Sequence, residues 1–202
     1  MTSRQIGLGK RWTGWIGLTA LTGLAVFMAG AAVLGLLARG ALAHSTRWIS
    51  IPKPPAVAAT GYVLSEDQAA LLRARGNPQA FTLLFYEETG DDGQAAPVRA
   101  ETWSYYRDGV EIDFLNGVSQ REREIQVQEG VVLPVPYTPD QFTGFMTLEE
   151  TLAAAHVGRV LAVPLEADLV RGGQVYYADE ITFGLVDDAL RYVQVLALVT
   201  QE

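Results

Sequence analysis

The chain has 202 residues, of which 49% are hydrophobic, with no cysteine and two histidines. This composition disfavours a disordered chain, and the lack of cysteine excludes disulfides, thiolate nucleophiles, iron-sulfur ligands and thioether haem attachment. The formal net charge of -8 is unevenly divided: residues 1–50 carry +5 with no acidic side chain, and residues 51–202 carry -13. The acidic part would repel phosphate, so the sequence predicts no nucleic-acid partner.

An apolar segment near the N-terminus predicts a membrane anchor. Residues 16–37 contain no charged side chain, and 22 helical residues can cross the roughly 30 Å hydrocarbon core of a bilayer. Arg4, Lys10 and Arg11 precede this segment without an acidic residue, so the positive-inside tendency places Met1 in the cytoplasm. Tryptophans suited to the headgroup layers flank the segment at Trp12, Trp15 and Trp48.

The same segment has a second interpretation as a cleaved signal peptide. Ala41-Leu42-Ala43 has the small-x-small form that signal peptidase accepts, but the apolar run is longer than the roughly 7 to 15 residues of a usual signal core. We therefore expect an uncleaved anchor, and both interpretations place residues 51–202 outside the cytoplasm. Small residues at four-residue spacing would let another membrane helix approach closely: Ala25, Ala29, Ala31 and Gly35.

Capping and turn signals divide the rest of the chain into two similar parts. Ser65-Glu66-Asp67-Gln68 and Thr147-Leu148-Glu149-Glu150 are capping boxes that each predict the start of a helix. Alternating strands and hairpin turns follow each box, for example Asp108-Gly109 and Asn116-Gly117 after the first. The charged run Arg121-Glu122-Arg123-Glu124 is typical of a solvated edge strand.

We therefore expect an α+β fold, in which an N-terminal single transmembrane helix is followed by two helix-plus-antiparallel-sheet units. The expected segments are a cytoplasmic N-terminus at 1–14, the transmembrane helix at 15–43, a proline-rich linker at 44–61, and the two α+β units at 62–130 and 131–202.

The first unit resembles the small outer-membrane lipoproteins of the SmpA/OmlA (BamE) type. The resemblance covers residues 64–118 and is carried by Gly76, Pro78, Glu101, Thr102, Trp103, Tyr105, Ile112, Phe114 and Gly117. Two such units in tandem would be similar to β-lactamase inhibitor protein, whose sheet faces another protein. The chain departs from both patterns, because it has no lipobox cysteine and its second unit has no tryptophan.

The sequence offers little for catalysis. We expect His156 to end the second helix, and with only His44 besides it and no cysteine, a zinc or bis-histidine haem site is not expected. Adjacent carboxylates have plainer explanations as turns or helix starts, although a weak calcium site at 87–92 and a carboxylate-dependent hydrolase stay open. The acidic pairs are Glu87-Glu88, Asp91-Asp92, Glu149-Glu150 and Asp187-Asp188. No catalytic residue, metal or cofactor is therefore predicted.

Aromatic residues on the predicted strands favour recognition of a protein surface. Neighbouring strand residues point to opposite faces, so at least one of each adjacent tyrosine pair should point away from the core. The candidate interface consists of Trp103, Tyr105, Tyr106, Tyr176 and Tyr177.

These features predict a non-catalytic, single-pass accessory subunit of the cell membrane, with its C-terminal domain outside the cytoplasm. The expected partners are the lipid bilayer, other subunits of a membrane complex such as an electron-transfer complex, and a basic extracytoplasmic protein. The first alternative is a freestanding extracytoplasmic protein-binding or inhibitor module, and the second is the hydrolase.

Overall fold

The computed structural model describes residues 47–50, 61–91, 93–126, 130–165 and 172–200. Two α-helices are present in these ranges, α1 (Glu66–Arg75) and α2 (Leu148–Ala154), and a short 3-10 helix lies at Pro139–Gln141. The strands are β1 (Arg47–Ser50), β2 (Ala80–Thr89), β3 (Ala95–Tyr105), β4 (Val110–Leu115), β5 (Val118–Glu124), β6 (Val131–Leu133), β7 (Arg159–Pro164), β8 (Gly173–Ala178), β9 (Ile181–Val186), β10 (Ala189–Val195) and β11 (Leu198–Thr200).

Nine of the strands form one antiparallel sheet in the order β1-β7-β8-β9-β10-β2-β3-β4-β5. Two meanders, β2 to β5 and β7 to β10, meet where β10 pairs with β2, with Tyr192 opposite Leu84 and Val195 opposite Phe81. Strands β6 and β11 form a separate two-stranded sheet. The charged strand β5 is an edge of the large sheet, as its sequence predicts.

The expected α+β fold of two helix-plus-sheet units is wrong, because the described residues form mainly one large antiparallel sheet with two short helices. The β10–β2 pairing continues the sheet across the expected division between 130 and 131, so both halves share one sheet. Turn and capping signals are local and cannot show which distant strand will pair with an apolar strand such as β10. The expected transmembrane helix and its packing residues Ala25, Ala29, Ala31 and Gly35 lie outside the described residues. Within the described part, no helix has the length and apolarity needed to cross a membrane.

The predicted helix starts are confirmed. The Gln68 N–H donates to Ser65 Oγ at 3.2 Å, and the Ser65 N–H donates to Gln68 Oε1 at 3.1 Å. The second capping box closes in the same way between Thr147 and Glu150. Gly76 ends α1 with a φ of +75° and donates its N–H to Leu72 O. These local signals hold because each cap satisfies backbone groups that the helix itself leaves unpaired.

Side-chain alternation gives the large sheet two distinct faces. The inner face carries Phe81, Leu83, Phe183 and Val193, which pack with α2 and with Phe142 in one hydrophobic core. The opposite face, called the outer face below, carries the residues that alternate with this core set.

The β4–β5 turn is joined to α1 and to β3. Asn116 and Gly117 have φ values of +49° and +79°, as the two central residues of a type I′ hairpin require. Ser65 Oγ donates to Gly117 O at 2.5 Å, and Asn116 Oδ1 accepts the Arg99 N–H at 2.8 Å. A Cβ at residue 117 would lie 2.8 Å from Ser65 Cβ, so this contact needs glycine for space as well as for its φ.

Replacing Gly117 by alanine should therefore cost more than the backbone strain alone. We expect Gly117→Ala to lower the free energy of unfolding by about 2 to 3 kcal/mol. Gly93→Ala is the matched control, because Gly93 has a φ of +75° but nothing within 4 Å of an added Cβ. Urea unfolding of the full chain in detergent measures both, and equal losses would contradict the proposed packing of the turn.

Candidate functional site: a buried ion pair and the outer face of the sheet

A buried ion pair lies on the inner face of β3. Arg99 and Glu101 expose only 6% and 3% of their surface. Arg99 Nε donates to Glu101 Oε1 at 2.7 Å, and Nη2 donates to Oε2 at 3.1 Å, so the contact is bidentate. A buried charged pair is the first place to look for chemistry, because unusual ionisation and ligand binding often occur at such groups.

All the polar groups around this pair are used by the fold. Glu101 also accepts from Gln68 Nε2 at 2.6 Å and from Trp103 Nε1 at 3.0 Å. Arg99 donates to the carbonyl oxygens of Pro139 and Phe142, and the Tyr62 ring centroid lies 3.8 Å from the guanidinium carbon. These contacts join α1, β3 and the 3-10 segment. The arrangement is that of a structural network with both charges satisfied.

Removing the negative charge of this pair should strongly destabilise the fold. In Glu101→Gln the Arg99 guanidinium stays buried without a counter-charge, and we expect a loss of about 3 kcal/mol or more. Glu122→Gln is the control, because the Glu122 side chain is 56% exposed in its 3.2 Å ion pair with Arg75, and its removal should cost under about 1 kcal/mol. Equal urea midpoints for the two variants would contradict this role of Glu101.

The described residues of the acidic pairs are exposed, and the β10–β2 pairing brings the β9–β10 turn and the β2–β3 hairpin to the same end of neighbouring strands. Glu87, Glu88 and Asp91 are exposed at the β2–β3 hairpin, Asp187 and Asp188 form the exposed β9–β10 turn, and Glu149 and Glu150 are exposed at the start of α2. Hydrogen bonds from the backbone and hydroxyl of Thr147 lower the pKa of Glu150, which is a capping interaction. Across the described ranges, no group of three or more metal-ligating side chains could hold a metal ion. His156 follows α2 and is exposed.

The predicted interface aromatics fall into two groups. Trp103, Tyr105 and Tyr176 point into the core, with 0%, 0% and 4% of their surface exposed. Tyr106 and Tyr177 are half-buried. Tyr177 lies on the outer face and Tyr106 follows the end of β3. Their use at an interface stays a prediction, whereas the three buried rings are not available to a partner in this fold.

An apolar row crosses the outer face. The pairing register places one residue from each of eight consecutive strands side by side, from β7 to β5. This outer row consists of Val163, Val175, Gly184, Tyr192, Leu84, Ala100, Leu115 and Val118. Sequence reasoning missed it, because its members are far apart in the chain and only the register brings them together.

The outer row is tightly packed in its middle and exposed at one end. Val175 and Tyr192 are 7% and 8% exposed, yet neither belongs to the inner core cluster. Tyr192 Cβ lies 3.0 Å from where a Cβ on Gly184 would be, so its side chain covers this glycine. Leu115 and Val118 are 38% and 56% exposed. The row is therefore a second apolar layer, separate from the core, that is exposed at its β5 end.

Charged pairs border the outer row on β4 and β5. Arg121 donates to Asp113 at 2.7 Å, and Asp113 also accepts from the Thr102 hydroxyl at 2.9 Å. Arg123 forms an ion pair with Glu111 next to it. An apolar centre with a polar border is the usual composition of a protein interface.

No protein-family model matches the chain, and no characterised protein or solved structure matches it. The resemblance to SmpA/OmlA-type lipoproteins therefore stays a prediction, and function has to be argued from the geometry of the chain itself.

Tyrosine burial predicts loss of stability in alkali. Burial raises the pKa of seven tyrosines above the ordinary value: Tyr62, Tyr86, Tyr105, Tyr137, Tyr176, Tyr177 and Tyr192. The unfolded chain releases these protons near pH 10, before the folded chain does. Tyrosine ionisation should therefore leave the free energy of unfolding unchanged below about pH 10 and should lower it as pH rises further.

Urea midpoints measured across this range, together with the phenolate absorbance, test this expectation. Tyr192→Phe should make the decline shallower, because it removes one group whose pKa burial raises strongly. A urea midpoint that increases with pH above pH 10 would contradict the raised pKa values of these tyrosines.

Proposed function

We propose that the chain is a non-catalytic, membrane-attached accessory subunit whose outer sheet face docks onto another protein. The outer row is the observation that carries this proposal. It places apolar side chains of seven strands, together with Gly184 of β9, on a face that the hydrophobic core does not use. Exposed apolar surface with a polar border typically marks a binding site for a protein, and Leu115 and Val118 expose such surface at the β5 end of the row.

The size of the outer row suits a protein partner better than a small ligand. Strands lie about 4.8 Å apart, so eight strands extend the row over roughly 35 Å. A standard interface covers about 800 Å² on each partner, a patch of comparable width. Tyr177 lies half-buried on this face and supplies rigid aromatic surface of the kind that interface centres favour.

Charge supports a basic partner. Residues 51–202 carry -13, so a basic extracytoplasmic protein, such as a soluble electron carrier of a respiratory or photosynthetic complex, would be attracted to this domain. Attachment to the membrane rests on the uncharged residues 16–37, which lie outside the described residues. A freestanding binding or inhibitor module would use the same face without belonging to a stable complex.

The described carboxylates give the hydrolase alternative little support. The only buried one among them, Glu101, is neutralised by Arg99 and saturated with hydrogen bonds. The described residues of the acidic pairs lie on exposed turns or at the start of a helix. No specific observation favours a hydrolase over docking.

Charge placed in the middle of the outer row should separate the chain from its complex. We expect the full chain, purified in mild detergent from its native membrane, to co-migrate with other subunits at fixed stoichiometry. Leu84→Glu should weaken this association by about thirtyfold or more, since it buries an unpaired charge at an interface centre.

Two variants serve as controls for this experiment. Leu84→Met keeps the apolar side chain and should retain the complex. Thr82→Glu places the same charge two residues away, in a row of Thr and Gln residues on the same face, and should weaken the association less than Leu84→Glu does. Unchanged association of Leu84→Glu would contradict docking through the outer row. Migration of the wild-type chain alone, or as a dimer of itself, would contradict the role of accessory subunit.

A further inference from the structure

The edge strand β1 carries a basic and aromatic corner. Trp48 is 58% exposed, and the guanidinium carbon of Arg159 lies 4.1 Å from the centroid of its ring. Arg47 begins the same strand and is exposed, as is Arg159. Trp48 pairs with Leu161, so the ring lies on the outer face beside β7. The β1 corner is defined here as Trp48 and Arg159 on the outer face, together with Arg47 at the start of β1, which alternates to the inner face.

This corner differs in charge from the rest of the domain. Strands β1, β7 and β8 contain two arginines and no acidic residue, although residues 51–202 together carry -13. Neither Arg47 nor Arg159 forms an ion pair with a carboxylate of the described ranges. An anionic surface would attract this corner and repel the remainder, so it would select one orientation of the domain.

The position of β1 in the chain points to the occupant. The predicted anchor ends at 43, and only three residues separate it from Arg47. Because an extended residue spans at most about 3.6 Å, β1 would begin within roughly 15 Å of the end of the predicted anchor. The headgroup layer is itself about 5 to 8 Å thick on each side, so β1 lies within reach of it.

We infer that the β1 corner binds phospholipid headgroups and thereby orients the sheet with its β1 edge toward the membrane. The inference rests on the proposed membrane attachment. Tryptophan favours the headgroup layer because its ring is apolar and its N–H is polar, and arginine binds phosphate through two parallel donors. In this orientation the far edge of the sheet at Val118 lies roughly 38 Å from β1, given the usual spacing of strands.

Spin labels at the two edges of the sheet test this orientation. The chain contains no cysteine, so Ser50→Cys and Val118→Cys each give one labelled site. Both residues are exposed, and they lie on opposite edges of the same sheet. In vesicles of phosphatidylcholine and phosphatidylglycerol that carry nickel-chelating headgroups, we expect several-fold stronger relaxation of the label at 50 than at 118. Equal relaxation would overturn the inference.

Arginine variants test whether the corner itself causes this contact. Each arginine near an anionic surface raises the association constant about fivefold, so Arg47→Gln with Arg159→Gln should lower the docking equilibrium constant about twenty-five-fold and reduce relaxation at 50. Arg73→Gln, at an exposed arginine of α1, should leave relaxation unchanged. An unchanged signal in the double variant would overturn lipid binding by this corner.

Extraction with alkaline carbonate separates this inference from the proposed function. A chain that stays in the vesicles but shows equal relaxation at 50 and 118 is attached without docking its β1 corner, which overturns only the inference. A chain that carbonate removes is not membrane-attached, and both proposals then fail.

Discussion

The bidentate contact between Arg99 and Glu101 is the interaction on which the rest of the structure depends. Neither charge could be buried alone, because removing one ion from water costs several kcal/mol unless its partner and further hydrogen bonds replace the solvent. Glu101 meets this need through Gln68 and Trp103, and Arg99 meets it through the 3-10 segment. Helix α1, strand β3 and the segment that covers the core are therefore fixed by one network.

Because these elements cover the inner face of the large sheet, the outer face is the one that a partner can bind. The core, α2 and the segment around Phe142 occupy the inner face, while the outer row gathers apolar side chains from seven strands on the opposite face. Ion pairs on β4 and β5 border this row, and the charged β5 edge discourages pairing with other strands. The domain thus has a surface suited to a protein partner, and that surface carries the proposed accessory function.

The sequence predicts the local features of this fold and misses the non-local ones. The capping boxes at Ser65 and Thr147 and the Asn116-Gly117 hairpin follow from backbone chemistry within a few residues. The pairing of β10 with β2 joins segments about one hundred residues apart, and an apolar strand gives no sign of which neighbour it will take. For the same reason two predicted units become one sheet. The sequence does not predict the burial of Glu101 either, although the spacing of Arg99, Glu101 and Trp103 places them on one face of a strand.

The central claim is that a partner covers the outer row in the native membrane, and thiol protection at Ala100 tests it most directly. Ala100 lies within the row and is half-buried, and Gln120 on the exposed β5 edge provides the comparison. In the cysteine-free chain, Ala100→Cys should resist a water-soluble thiol reagent in native membranes and react after the complex is dissociated in detergent. Gln120→Cys should react in both states. Equal reactivity of Ala100→Cys before and after dissociation would contradict the account.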